Sequence, residues 1–180
     1  MGLTFVRDTT WQEVFAAWEK RETKKWGWEP HYKEEGFDSW EAWRSQYIRP
    51  FSLDERLWKL YRVDDPMSFV PEMWAGGFKG WKRYVPEGTS MIRMKKLAKH
   101  SKLSENGKVQ AILADPPSET VMIAFKLGED FILFEGMHRA AAISLAAGRD
   151  ELINMNLTLA VTEFGSDEQE LFDKARTKIK

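Results

Sequence analysis

Apolar and aromatic side chains recur at helical spacing near the beginning of the chain. Trp11, Val14, Phe15 and Trp18 occupy positions i, i+3, i+4 and i+7, which lie on one face of an α-helix. A capping box over residues 10–13 precedes this stripe and satisfies backbone N–H groups at a helix start. The pattern therefore predicts a helix that begins here and buries its aromatic face.

The opposite face of this helix is polar and carries Lys20 and Glu22, which we expect to be solvated. Gly27 is expected to end the helix, since glycine opposes helix continuation. A second aromatic stripe over residues 40–47 follows another capping box, residues 38–41. This second stripe predicts a further helix that packs through its aromatic side chains.

The pattern is less regular in the next part of the chain. Residues 52–55 form a third capping box, and residues 57–63 suit either a helix or a strand; we expect a short helical turn followed by a strand. The glycine-rich residues 71–81 predict a loop. Residues 91–103 are the most basic segment and predict a helix with a solvated, lysine-rich face. Contact with nucleic acid or phosphate is the alternative for this segment.

The second half of the chain contains both strand and helix signals. Residues 121–125 and 131–134 are short apolar runs joined by a glycine-containing turn, which predicts a β-hairpin. An alanine-rich helix over residues 137–147 follows, then an alternating strand over residues 153–162 and a last helix from Ser166. These elements predict an α+β fold built on a small mixed β-sheet.

Composition is that of a folded chain, because 43% of the 180 residues are hydrophobic and 31% are charged. All nine tryptophans lie within the first 81 residues, and at helical spacing we expect their rings to form core. We expect a helical, Trp-rich N-terminal extension over residues 1–52 and an α+β domain over residues 53–180, packed together as one compact unit.

Charge and cysteine content exclude several classes of protein. The formal net charge of −1 gives no general attraction to nucleic acid, so DNA is not a favoured partner. The chain has no Cys, which excludes disulfides and thiolate metal sites and fits a cytoplasmic protein. His31, His100 and His138 lack the spacing of a metal motif, so no metal site is expected among them. No apolar run reaches the roughly 20 residues of a membrane helix, and no membrane partner is expected.

Candidate chemistry concentrates where the strand over residues 131–134 meets the alanine-rich helix. A helix N-terminus carries unpaired N–H groups and a partial positive charge, which together suit phosphate. Gly136 permits a tight turn, His138 adds a titratable donor, and Arg139 adds an exposed planar donor fork. A plain turn with a solvated Arg139 is the alternative interpretation.

The same segment resembles a known family signature. Glu135-Gly136-Met137-His138-Arg139, followed by three alanines, is similar to the motif of the ParB/sulfiredoxin-like superfamily, which includes ParB partition proteins, sulfiredoxin and the free serine kinases. In that superfamily a Gly-x-His-Arg motif opens a helix whose N-terminus binds nucleotide phosphates. The resemblance implies that Gly136, Met137, His138 and Arg139 bind a nucleotide, and that Glu135 and His138 are catalytic.

The resemblance extends over about a dozen residues and implies a ParB/sulfiredoxin-like core at roughly residues 53–165. One departure from the family is informative. Sulfiredoxin has a Cys at the position of Met137, and the chain contains no Cys, so a thiol-based sulfinic acid reductase is excluded.

Motif and geometry together lead to one hypothesis about function. The chain is expected to bind ATP or another nucleotide, and to hydrolyse it or transfer a phosphoryl group to a small hydroxyl-bearing molecule. A nearby carboxylate would bind Mg²⁺ or act as a base, and Glu72, Glu119 and Asp130 are candidates if the fold brings them close. The upstream catalytic Glu of the free serine kinases has no assigned counterpart in this chain.

Two other functions fit parts of the sequence. A ParB-like nucleotide-dependent DNA-binding protein would share the motif, although no helix-turn-helix pattern follows it. A non-catalytic interaction module would rely on the aromatic N-terminal half. Trp74 and Trp81 lie in the glycine-rich loop and are candidates for stacking on a nucleobase, while packing of both rings on the core is the commoner case.

Overall fold

The computed structural model describes residues 2–26 and 29–177. Five strands form one mixed sheet in the order β1-β2-β5-β3-β4. Their bounds are β1 Leu3–Thr9, β2 Trp58–Val63, β3 Glu119–Leu127, β4 Asp130–Glu135 and β5 Asn156–Glu163. β3 and β5 are parallel and the other neighbouring strands are antiparallel. The prediction of a mixed sheet with flanking helices is therefore confirmed.

Helices of very different lengths flank this sheet. The α-helices are α1 Trp11–Trp26, α2 Glu29–Glu34, α3 Trp40–Ile48, α4 Pro66–Phe69, α5 Met94–Leu97, α6 Gly107–Ala114, α7 Met137–Ala147 and α8 Gln169–Thr177. Short 3-10 segments, including Lys79–Tyr84 and Ser101–Glu105, lie between some of them. The predicted helical turn at residues 53–55, the β-hairpin and the alanine-rich helix are all present.

Each face of the sheet has its own hydrophobic core, because alternate residues of a strand point to opposite sides. Along β3, Met122 and Ala124 join the cluster formed with α4 to α7. Ile123 and Phe125 join the cluster formed with α1, α3 and α8. Helices α1 and α7 therefore lie on opposite faces, and they approach one another at the end of β4.

Strand β1 was not predicted, since we expected only helices in the first 52 residues. It pairs antiparallel with β2 at the edge of the sheet. Most of its residues are exposed, including Phe5 and Val6, which are about half exposed. A strand that is exposed on both faces carries no alternation of apolar and polar residues, so the hydrophobic pattern did not reveal it.

The prediction of one basic helix over residues 91–103 is wrong. Only Met94–Leu97 is α-helical there, and Ser101–Glu105 forms a separate 3-10 segment. Met94, Leu97 and Leu103 are buried at the turns of this irregular stretch, so tertiary packing decides its course. The predicted helix stop at Gly27 lies outside the described residues.

The tryptophans are core residues, as their spacing predicted. The structure describes seven of their side chains, and six of these are buried, namely Trp11, Trp18, Trp40, Trp43, Trp58 and Trp81. The rings of Trp11 and Trp58 lie 5.1 Å apart between centroids, and those of Trp18 and Trp40 lie 5.4 Å apart. Such offset and edge contacts join α1 and α3 to the sheet.

Candidate functional site

A cleft of about 1300 Å³ opens at the end of β4, where α1 approaches the beginning of α7. Its walls come from α1 to α3, from the segment Lys79–Tyr84, from residues 102–108 and from the beginning of β3. Residues 135–139, which the sequence had singled out, all line this cleft. Pockets for single small ligands typically measure roughly 300–1000 Å³. The cleft therefore has room for a nucleotide-sized molecule together with a second small ligand.

Gly136 forms the junction between β4 and α7. Its φ of 107° and ψ of 19° are in the left-handed region, and an added Cβ would lie 2.6 Å from Cγ of the fully buried Met122. The first helical hydrogen bond runs from the Ala140 N–H to the Gly136 carbonyl oxygen, over 2.9 Å. No side chain of the described residues caps this helix end. The N–H groups of residues 137–139 are consequently available to a ligand in the cleft.

Arg139 is held by the protein itself, so the expectation of an exposed donor is wrong. Its side chain is 14% exposed. One guanidinium nitrogen donates to Thr120 Oγ1 at 2.6 Å and to the Val121 carbonyl oxygen at 2.8 Å, and the other pairs with Glu135. These contacts anchor the first turn of α7 to β3. Arg139 is therefore oriented by contacts within the protein.

Glu135 lies between two guanidinium groups. Arg139 binds one carboxylate oxygen, and Arg21 of α1 approaches the other at 3.3 Å. The Glu135 side chain is only 10% exposed. Both carboxylate oxygens are therefore bound by guanidinium groups of the protein itself. Through these contacts the carboxylate links α1 to the beginning of α7.

His138 lies in the first turn of α7, with its ring 4.9 Å from that of Trp81. The pKa of His138 is lowered to about 4, mainly by burial and also by the nearby cations Lys108, Arg139 and Arg83, while Glu135 opposes them. The imidazole is therefore neutral at physiological pH. A neutral imidazole has one N–H donor and one nitrogen acceptor, so it can donate to a phosphate oxygen or accept a proton.

The cleft is basic although the chain as a whole is nearly neutral. Among its described lining residues, seven are Lys or Arg and four are Glu. The cations are Lys20, Arg21, Arg44, Arg83, Lys102, Lys108 and Arg139. Such a concentration inside a concave surface attracts anions and raises their local concentration. The arrangement therefore favours a ligand with several negative charges.

The two tryptophans proposed for base stacking have different surroundings. Trp81 lines the cleft, packed edge-on against His138 and near Tyr84. Trp74 lies outside the cleft and packs beside β4. The centre of its ring lies 4.2 Å from the Arg93 Cζ and 4.7 Å from the Arg176 Cζ, and its N–H donates to Asp130. The structure thus places Trp81, and not Trp74, beside the motif.

The candidate carboxylates also differ in whether they line the cleft. Glu119, at the beginning of β3, lines the cleft, as does Glu105, which the sequence analysis did not consider. Neither side chain forms a hydrogen bond or an ion pair with any residue that the structure describes. Glu72 pairs with Lys95 and Asp130 with Arg93, away from the cleft. Glu105 and Glu119 are thus the carboxylates available to a ligand.

Sequence reasoning missed the contribution of α1 to the site. Arg21 and Glu22 both line the cleft, and Glu22 is only 13% exposed in a bidentate pair with Arg44, so its assignment to a solvated face is wrong. The helical periodicity of α1 did contain a signal for Arg21. Arg21 follows Trp18 by three residues, on the face that the aromatic stripe buries.

Comparison with protein-family models, with curated proteins and with solved structures found no match to this chain. Within the described part of the chain, no group of three or more His, Cys, Asp or Glu side chains is arranged to hold a metal ion. No helix among the described residues has both the length and the apolar composition needed to cross a membrane. The cleft itself is therefore the feature from which function can be inferred.

Proposed function

We propose that the cleft binds a nucleoside triphosphate with its phosphates at the N-terminus of α7, and that the protein hydrolyses it or transfers a phosphoryl group to a small hydroxyl-bearing molecule. The observation that carries this proposal is the helix end without a capping side chain, opening into a cleft with seven basic side chains. The resemblance of residues 135–139 to the ParB/sulfiredoxin-like motif supports it independently.

In this proposal the N–H groups of residues 137–139 bind phosphate oxygens, and neutral His138 donates one further hydrogen bond. The transferred phosphorus forms a bond to the acceptor oxygen while its bond to the leaving diphosphate breaks. Negative charge grows on the leaving oxygen, and the basic side chains of the cleft stabilise it. Trp81 forms part of the wall beside these groups and offers an aromatic edge to the nucleoside.

A carboxylate receives the proton that the acceptor hydroxyl or water loses. Glu119 and Glu105 fit this role because they line the cleft and bind no other described residue. The same carboxylates would hold Mg²⁺, which commonly uses one or two carboxylates together with the phosphates of its nucleotide. Bound at these carboxylates, Mg²⁺ would neutralise part of the negative charge of the phosphates.

The proposal is tested by calorimetric titration of the protein with ATP, CTP, GTP and ADP, each with and without Mg²⁺. Micromolar binding of at least one triphosphate is expected, because a helix end and several cations converge on its phosphates. Turnover of the bound nucleotide is then followed by phosphorus NMR, with water or an added polyol as acceptor. If none of the four nucleotides bound, the result would contradict the proposal.

A further inference from the structure

Arg21 occupies a position where the sequence pattern of α1 calls for an apolar residue. Trp11, Val14 and Trp18 are buried along one face of the helix, and Arg21 lies one turn beyond Trp18 on that face. Arg21 lines the cleft, and its side chain is 27% exposed. Helix α1 thus delivers a partly buried cation to the beginning of α7, from the opposite face of the sheet.

The charges around Arg21 do not balance. Glu135 is the partner of both Arg21 and Arg139, and the three side chains are only 10–27% exposed. One carboxylate between two guanidinium groups leaves one positive charge in excess. Burial of a charge without a partner costs free energy, which an anionic ligand at this point would offset.

The two arginines also differ in how fully their donors are used. Arg139 donates to Glu135, Thr120 and Val121, which fixes its orientation. Arg21 makes one long contact of 3.3 Å with Glu135. Its Nε is buried and has no hydrogen-bond partner among the described residues. A guanidinium has five N–H donors in a planar fork, so most of those of Arg21 have no hydrogen-bond partner among the described residues.

We infer that Arg21 is a ligand-binding residue, and that its guanidinium binds the phosphate group located at the N-terminus of α7. This inference depends on the proposed function and assigns the main guanidinium contact to a residue outside the motif. Arg139 positions Glu135 and the helix end, and Glu135 in turn holds Arg21 near the phosphate. Binding adds a bidentate contact with the phosphate to the long contact that Arg21 makes with Glu135. Helix α1 is then part of the anion site.

A structural role for Arg21 predicts the opposite effect on stability. If its pair with Glu135 stabilises the fold, Arg21→Met should destabilise the ligand-free protein. If Arg21 is a ligand-binding residue, Arg21→Met removes the excess cation and leaves Glu135 paired with Arg139 alone. The melting temperature of the ligand-free variant should then lie within about 3 °C of wild type, or above it.

The experiment compares wild type with Arg21→Met and Arg21→Lys, using ATP and inorganic tripolyphosphate as probes. Arg49→Met is the matched control, because Arg49 is exposed, lies in the same N-terminal region and is outside the cleft. Calorimetry should show at least about tenfold weaker binding of both probes by Arg21→Met. Arg21→Lys should be intermediate, since Lys keeps the charge and loses the planar fork. Arg49→Met should bind like wild type.

Each outcome of this experiment decides a specific point. If wild type binds neither probe, the proposed function fails and the inference fails with it. If wild type binds and Arg21→Met binds equally well, the inference is wrong while the proposed function stands. A fall of more than about 3 °C in the melting temperature of ligand-free Arg21→Met would make the residue structural and would also overturn the inference.

Discussion

Gly136 joins strand β4 to helix α7 and leaves the helix end open. Two conditions require glycine there, a φ of 107° and the close approach of Met122. Gly136→Ala should lower the free energy of unfolding by about 3 kcal/mol, because strain and overpacking add. Nucleotide affinity should fall as well, since a displaced helix end moves its N–H groups. Urea denaturation and calorimetry measure the two effects.

Gly128 provides a matched control for this change. Its φ of 56° is also positive, but an added Cβ would meet no atom within 4 Å. Gly128→Ala should therefore cost only about 1 kcal/mol, and it should leave nucleotide affinity unchanged because the residue lies in the hairpin turn. Equal destabilisation by the two substitutions would show that Met122 does not crowd the helix junction.

His138 should make stability depend on pH. Its folded-state pKa of about 4 lies below the ordinary value of 6.5, so the unfolded chain binds more protons between these values. The contribution of His138 to the free energy of unfolding is fully present above pH 6.5 and is lost as the pH falls toward 4. The charged groups around the ring are Lys108 on α6, Arg83 in the 3-10 segment, and Glu135 and Arg139 at the helix junction.

The expected loss between pH 7 and pH 5 is about 2 kcal/mol. Urea denaturation of His138→Gln should show a smaller loss over this interval than wild type. His100→Gln is the control, since His100 lies outside the cleft and accepts a hydrogen bond from the Lys102 N–H. An identical pH dependence in wild type and His138→Gln would contradict the proposed burial of the neutral imidazole.

At the residue scale, sequence alone identified the junction but not Arg21, which we propose as a ligand-binding residue. Gly136, His138 and Arg139 are adjacent in the chain, so local rules could find them. Arg21 and Glu135 are separated by 114 residues, and no local pattern reports such a contact. We expected Arg139 to be exposed because its position in the helix sequence does not reveal the hydrogen-bond acceptors that β3 supplies to it.

At the scale of elements, one partly buried ion pair in the cleft wall joins α1 to α3. Glu22 accepts three hydrogen bonds from Arg44, one from Nε at 2.9 Å and two from Nη2 at 2.7 and 2.6 Å, and one from the Trp40 indole. The Arg44 guanidinium also lies 3.9 Å from the centre of the Trp43 ring. This cluster fixes the part of α1 that carries Arg21.

Glu22→Gln should lower the free energy of unfolding by about 2 kcal/mol, because it removes the negative charge that forms a bidentate pair with the partly buried Arg44. Urea denaturation measures this loss. Glu29→Gln is the control, since Glu29 and Lys33 are more than half exposed and such pairs contribute little. A Glu22→Gln protein as stable as Glu29→Gln would show that the cluster does not hold α1 and α3 together.

Elements with strong periodicity were predictable and exposed or irregular ones were not. The aromatic stripe of α1, the alanine-rich α7 and the hairpin of β3 and β4 follow simple hydrophobic patterns. Strand β1 lacks such a pattern because both of its faces are exposed. The register of β5 beside β3 depends on the whole sheet, so sequence predicted the strand and not its neighbours.

At the scale of the whole molecule, basic side chains gather around one cleft of a nearly neutral protein. The double substitution of Arg83 and Lys102 by Met removes two cations from the cleft, whereas the same change at Lys82 and Lys99 removes two from outside it. The first variant should bind ATP about 10- to 100-fold more weakly, because charge-assisted contacts are lost. Calorimetry at two salt concentrations measures the affinity of both variants.

The Lys82 and Lys99 variant should stay within about threefold of wild type, since charges outside the cleft are screened by salt. Equal losses in the two double variants would mean that ATP responds to net charge alone. That result would contradict the inference that the cleft selects anions through its own lining residues.

The most direct test of the account is NMR observation of the backbone amides of residues 137–139 during titration with ATP. Hydrogen bonds from phosphate should shift these three amides together and saturably, with the same midpoint as calorimetry, whereas the first amides of α8, outside the cleft, should not move. Binding of ATP without any shift at residues 137–139 would contradict the claim that the N-terminus of α7 is the phosphate site.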